Sequence, residues 1–249
     1  MNDNKRIAIN SVVIFLRLCI VSMVNIIASR VVLDALGASD FGLYNVVGGI
    51  VILLNVVNTA MLATTYRYLA FEIGKKLGGN PNKIFNTSLL IHAVFAIGLI
   101  TVGIAVGDWY ICNYLNIVPD KISDAIFVFH ISIITAALST LFVPFQGLQV
   151  AYEKFTVNAA IDIISQSIKL AAIILLIYSD TNRLRLYSMI MLSYTFFSCV
   201  LYVGYCVMHY WNVIKPTVYK DSKLIVHFRI QYSNITSFVL VILFNLLFD

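Results

Sequence analysis

Apolar residues run through this chain in blocks too long for a soluble core, broken by short polar stretches. The blocks lie at Ile7–Leu33, Gly42–Ala70, Thr87–Val106, Ala125–Gln146, Thr156–Tyr178 and Leu186–Tyr210. Each is about 20 or more residues long, enough for a helix to cross a hydrocarbon core about 30 Å thick. A seventh block begins near Tyr232 and reaches Asp249, 18 residues. The pattern predicts an all-α, polytopic membrane helix bundle with six transmembrane helices and the start of a seventh. It divides the chain into a six-helix bundle over 1–210, a basic and amphipathic linker over 211–231 that reads equally as a segment lying along anionic lipid or as a solvated connection, and the start of a further helix over 232–249. The last block ends without a basic flank, so a second bundle is expected from a longer chain or a second copy.

Composition agrees: 60% of the 249 residues are hydrophobic, 12% are charged and mean hydropathy is +0.90, against about 25% charged residues in an average soluble domain. The net charge of +5 sits mostly in short loops, so it points to membrane orientation and not to nucleic acid. With the N-terminus in the cytoplasm, the inner segments carry Lys5, Arg6, Lys75, Lys76, Lys83, Lys154, Lys215, Lys220, Lys223 and Arg229. The outer segments carry Arg30, Lys121, Arg183 and Arg185. This asymmetry predicts a cytoplasmic N-terminus. The first block is far longer than the apolar core of a cleaved signal peptide. The loops are too short to hold a separate catalytic domain. Cys19, Cys112, Cys199 and Cys206 form no CxxC or metal-ligand pattern, and no nucleotide loop, zinc motif or catalytic triad is present, so no cofactor is expected.

The charges inside the apolar blocks are the candidate chemistry. Arg17 lies about 15 Å into the first span, near the bilayer centre, where a lone charge costs at least about 2.5–3.5 kcal/mol. Asn10, seven residues earlier, extends its polar stripe. In the fifth span Asp162, Gln166 and Lys169 are spaced 4 and 3, which puts them on one helix face. Their depths, roughly 9 Å for Asp162 and 20 Å for Lys169, bracket that of Arg17. Two arrangements fit. Arg17 and Lys169 can form the cationic wall of a water-filled cavity, with their donors turned to phosphate oxygens. Alternatively Asp162 pairs with Arg17 across helices, or with Lys169 along its own, and holds the bundle together. Asn55, Asn58 and Thr59 in the second span, and Ser132, Thr135 and Ser139 in the fourth, form polar stripes that suit either a cavity wall or interhelical hydrogen bonds. His130 reads as a satisfied buried side chain, Pro144 as a kink near the end of the fourth span, and Gly103 and Gly107 as a small-xxx-small packing face.

Two motifs carry a family resemblance. The turn Arg30…Leu36-Gly37…Asp40-Phe41-Gly42-Leu43-Tyr44 and the link Gln149-Val150-Ala151-Tyr152-Glu153-Lys154-Phe155 resemble bacterial polysaccharide flippases, the O-antigen and capsule repeat-unit exporters of the multidrug/oligosaccharidyl-lipid/polysaccharide superfamily. The turn also has an architectural reading, with Gly37 and Gly42 at positive φ and Asp40 capping the second span. The resemblance implies about twelve to fourteen helices in two bundles that rock around a central cavity, of which this chain holds the N-terminal half. It implies a non-enzymatic flippase in the bacterial inner membrane for an undecaprenyl-pyrophosphate-linked oligosaccharide. Arg17, Lys169, Asp162, Gln166, Asn10 and Asn55 are its expected substrate-binding residues. The partners it implies are the lipid-linked oligosaccharide, membrane lipids and the missing bundle, with no nucleic acid. The competing functions are a cation-coupled drug exporter of the same superfamily and a membrane sugar transferase or polymerase using Asp108, Asp120 or Asp124.

Overall fold

The computed structural model describes residues 3–75 and 78–217, without the side chains of residues 3 and 50–56. The seventh block, and the linker beyond residue 217, lie outside the described residues. All regular structure among the described residues is helical: α1 (Asp3–Gly74), α2 (Pro81–Asn113), a 3₁₀ turn (Pro119–Lys121), α3 (Ile122–Ala151), α4 (Phe155–Leu176) and α5 (Arg183–Ile214). Among the described residues, five stretches are long and apolar enough to cross a membrane: Asn4–Gly49, Pro81–Asn113, Pro119–Ala151, Phe155–Leu176 and Arg183–Ile214.

α1 is two rods joined at Gly37, whose φ of 76° and ψ of 166° break the helix. This is a backbone conformation that side chains with a Cβ rarely adopt. The turn motif has the expected local geometry at Gly37 but not at its other two positions. Gly42 keeps a helical backbone, and Asp40 is not a cap. Its carboxylate instead takes the Lys121 ammonium at 2.8 Å. α2 starts at Asn80, whose side chain accepts from the Lys83 amide, with Pro81 in the first turn. Asn182 does the same for α5 through the Arg185 amide. Both are standard caps for orphan amides. α3 runs on through Pro144 to Ala151, and α5 runs past Tyr210 to Ile214, with Tyr210 itself off the helical backbone. The break at Tyr210 falls at the expected end of the sixth span, and a last helical turn follows it to Ile214.

Side-chain contacts fix the directions of the rods. The first arm of α1 runs parallel to α4, through Arg6–Glu153, Arg17–Asp162 and Asn25–Lys169. The second arm runs parallel to α3 at a steady offset: Asp40 meets Lys121, Asn58 meets Ser139 and Thr140, and Thr65 packs on Gly147. α3 is parallel to α5, through Asp124–Arg185 and Gln149–Tyr202. α2 is antiparallel to both the second arm (Thr65–Ser88) and α3 (Gly103 on Ile133, Asp108 on His130). α4 is antiparallel to α5, through Asp162–Tyr202 and Gln166–Tyr194. Six rods among the described residues therefore alternate in direction along the chain. One end gathers Arg6, Glu153 and the hydrogen bonds from Asn82 to the Val213 and Lys215 carbonyls. The other end gathers Gly37, Lys121 and Arg185.

Apolar clusters close both ends. Leu69, Phe85, Phe145, Leu148, Cys206 and Val213 fill the first. Val47, Ile111, Ala125, Phe129 and Leu184 fill the second, beside a third cluster of Ala28, Val32, Ile173, Leu176 and Tyr187. The outer surface is apolar too: Val12, Phe15, Leu16, Met23 and Ile26 are more than half exposed along the first arm. Ring groups mark the two ends, Tyr152, Tyr205, His209 and Tyr210 at one and Trp109, Tyr110 and Tyr114 at the other. Aromatic belts of this kind sit at membrane–water interfaces. These features define a multi-pass membrane protein.

The small-xxx-small face is where α2 meets α3. A Cβ on Gly107 would stand 1.8 Å from the Phe129 ring, and one on Gly103 3.0 Å from Ile133. Gly107→Ala should cost about 1–3 kcal/mol through overpacking, read as a lower thermal midpoint in detergent. Adding Phe129→Leu should recover most of the loss. An unchanged midpoint in the single variant would show that the two helices do not pack this closely.

Candidate functional site

A cavity of about 430 Å³ lies between the two apolar ends, walled by three parallel rods. The second arm of α1 contributes Tyr44, Asn45 and Gly48. α3 contributes Ser132, Thr135, Ser139 and Gln146. α5 contributes Tyr187, Ser188, Met191, Tyr194, Thr195, Ser198 and Cys199. Hydroxyls, amides and tyrosine rings dominate, and no ionised side chain lines the cavity among the described residues. Tyr44 and Tyr187 meet edge to face, with ring centroids 4.6 Å apart. The expected stripe of Ser132, Thr135 and Ser139 is part of this wall. Asn58 instead bonds within the bundle, accepting from Thr140 at 2.8 Å and donating to Ser139 at 3.4 Å. His130 is satisfied by Asp108 at 2.7 Å.

The expected charged residues lie in an adjoining seam between the first arm, α4 and α5. Arg17 Nη2 meets Asp162 Oδ2 at 2.5 Å, and Asp162 Oδ1 accepts from the Tyr202 hydroxyl at 2.8 Å. The interhelical pair that the sequence allowed is thus formed. Lys169 does not pair with Asp162. It is buried, donates to Asn25 Oδ1 at 2.9 Å, and holds its ammonium 5.0 Å from the centre of the Tyr194 ring. Gln166 donates to the Tyr194 hydroxyl at 3.0 Å, while its own Oε1 is buried without a partner. Ser165 Oγ and Asn158 Oδ1, also on α4, are buried without partners as well. Asn10 is half-buried on the first arm, away from the cavity lining. The Asn55 side chain lies outside the described residues.

Asp162, Gln166 and Lys169 therefore share a seam, as their spacing predicted, and Arg17 joins them. Tyr194 connects seam and cavity, because it lines one and touches Gln166 and Lys169 in the other. The sequence reading missed Asn25 and the whole α5 wall. Both had a signal. Asn10, Arg17 and Asn25 recur at spacings of 7 and 8, and Tyr187, Ser188, Tyr194, Thr195 and Ser198 form a polar stripe at helical spacing in an otherwise apolar span.

The described residues thus form an apolar multi-pass bundle of alternating helices around a cavity lined by hydroxyls, amides and tyrosine rings. The chain is similar in fold to a solved structure of a MOP superfamily transporter from Pyrococcus furiosus, described as having a binding pocket whose reverse polarity suggests a different function. The TM-score is 0.77 at 10% sequence identity, over 94% of this chain and 52% of that one. The chain thus spans about half the length of the transporter it matches. No family model matches the sequence, and no curated protein does.

Proposed function

We propose that this chain is the N-terminal bundle of a flippase that moves a lipid-linked oligosaccharide, carried on undecaprenyl pyrophosphate, across the bacterial inner membrane by alternating access for surface polysaccharide synthesis. The observation that carries this reading is the uncharged cavity of hydroxyls, amides and tyrosines inside a bundle of MOP transporter fold. A glycan presents many hydroxyls and apolar ring faces, and such a wall offers partners to both. The polyprenyl tail stays in lipid along the apolar outer surface. In this reading all six rods cross the bilayer, the N-terminus is cytoplasmic, and the second bundle comes from further chain or a second copy.

The competing functions fit less well. A cation-coupled exporter needs a free carboxylate, and Asp162 has both oxygens engaged, by Arg17 and Tyr202. A sugar transferase needs a free acid or base at a membrane face; Asp108 and Asp124 are held by His130 and by Arg185 with Asn182, which leaves the exposed Asp120 as the remaining candidate of the three. Deleting the gene tests the proposal. Lipid-linked oligosaccharide should accumulate on the cytoplasmic leaflet while surface polysaccharide falls. Unchanged glycan with altered drug sensitivity would move the protein to drug export.

A further inference from the structure

We propose that Tyr194 is a gate that covers a latent anion-binding cation, Lys169, and uncovers it to the cavity when cargo enters. The inference rests on reading the cavity as the cargo site.

Lys169 is buried, and among the described residues its ammonium has no carboxylate partner. It has one neutral amide oxygen, from Asn25, and the face of one ring. A neutral oxygen and a ring quadrupole compensate a buried charge only in part. The ring that covers it belongs to the cavity wall. Displacing that ring would join Lys169 to a cavity that otherwise has no ionised lining among the described residues. The same ring is latched by Gln166, which donates to the Tyr194 hydroxyl and keeps a buried, unpartnered Oε1. The latch is therefore a single neutral hydrogen bond. The orphaned Gln166 oxygen offers a new acceptor if the amide turns when the ring leaves.

Arg17, the half-buried second cation of the seam, is committed to Asp162. That leaves Lys169 as the seam cation whose charge is free to meet a phosphate or pyrophosphate group. A point-charge ammonium suits such a group without demanding a fixed bidentate geometry. The cavity would thus present a neutral surface at rest and expose one positive charge only when the ring swings away. Tyr194 and Gln166 are positioning residues in this scheme, and Lys169 is the group that touches the anion.

Thiol labelling in membranes tests this with the chain as the cell makes it. Cys199 lines the cavity, so a version with Cys19→Ser, Cys112→Ser and Cys206→Ser reports whether a negatively charged, water-soluble methanethiosulfonate reaches it. A second version adds Cys199→Ser and Lys169→Cys. There the Tyr194→Ala change should speed labelling at position 169 at least about tenfold, because the ring no longer covers it. Gln166→Leu, a milder change that removes only the latch, should raise it about threefold. In the Cys199 version, sodium pyrophosphate should slow labelling when Tyr194→Ala is present, and should fail to do so once Lys169→Gln is added.

Fast labelling of Cys199 with position 169 indifferent to both Tyr194→Ala and Gln166→Leu would overturn the gate while leaving the cavity reading standing. Protection by pyrophosphate that survives Lys169→Gln would place the anion elsewhere and overturn the assignment of Lys169. A Cys199 that never labels in a chain that still exports glycan would overturn the cavity reading, and the gate with it.

Discussion

Replacing Asp162 with Asn should destabilise the bundle and, on the proposed function, abolish transport, and replacing Arg17 with Gln should do nearly the same, while the double variant should regain most of the stability. The reason is the pair at 2.5 Å between the first arm of α1 and α4. Each single change leaves one charge inside an apolar assembly without its counter-ion. Removing one partner of a buried pair costs roughly 3–5 kcal/mol. The cost here should fall below that range, because the Arg17 side chain keeps 37% of its surface exposed against 19% for Asp162. Asp162→Asn should be the worse single change, since it also weakens the acceptor for the Tyr202 hydroxyl. The double change removes both charges and leaves amides able to bond each other. A double-mutant cycle on thermal midpoints in detergent gives the coupling energy. Near-additive losses would mean that the two residues do not depend on each other. Transport separates the remaining roles. If the stable double variant still exports glycan, the pair is architectural. If it is folded and inactive, one of the two charges acts on the cargo or in the transport cycle.

This pair shows how far the sequence could be read. Helical spacing placed Asp162, Gln166 and Lys169 on one face, and depth arithmetic brought Arg17 to their level, so the members of the seam were legible. Which acid took which base was not. Asp162 and Lys169 lie on one helix seven residues apart, about 10 Å along the axis, while Arg17 arrives from a rod whose placement is a tertiary fact. The break at Gly37 was legible because few other residues accept its φ. The role of Asp40 was not, since the acid that looked like a local cap is drawn to Lys121, 81 residues away. Most of the cavity wall escaped because its side chains are tyrosine, serine and threonine. In an apolar span these are common and carry no charge penalty to draw the eye, and only their recurrence on one face of α5 distinguishes them. The charged residues announced themselves by cost, and the structure spends most of that cost on holding helices together.

The cavity makes the second large prediction. Ser198→Trp places an indole in a space of about 430 Å³ from a half-buried position on α5. On the proposed function it should reduce glycan export by about tenfold or more while the protein inserts and unfolds much as before, because the bulk enters empty volume and not a packed core. Ser198→Ala removes only a hydroxyl and should leave export within about twofold. The contrast separates volume from chemistry at one position. Val200→Trp is the control on the same helix: this side chain is exposed and lies outside the cavity, so export should continue. Thr135→Trp on α3 approaches the space from a different wall and should repeat the loss. The readout is surface polysaccharide in a deletion strain carrying each variant, with membrane abundance measured alongside. If Ser198→Trp and Thr135→Trp both reach normal abundance and export normally, cargo does not pass through this cavity. The path would then lie along the apolar face of the first arm or in the second bundle, and the uncharged cavity would be a packing feature of the fold.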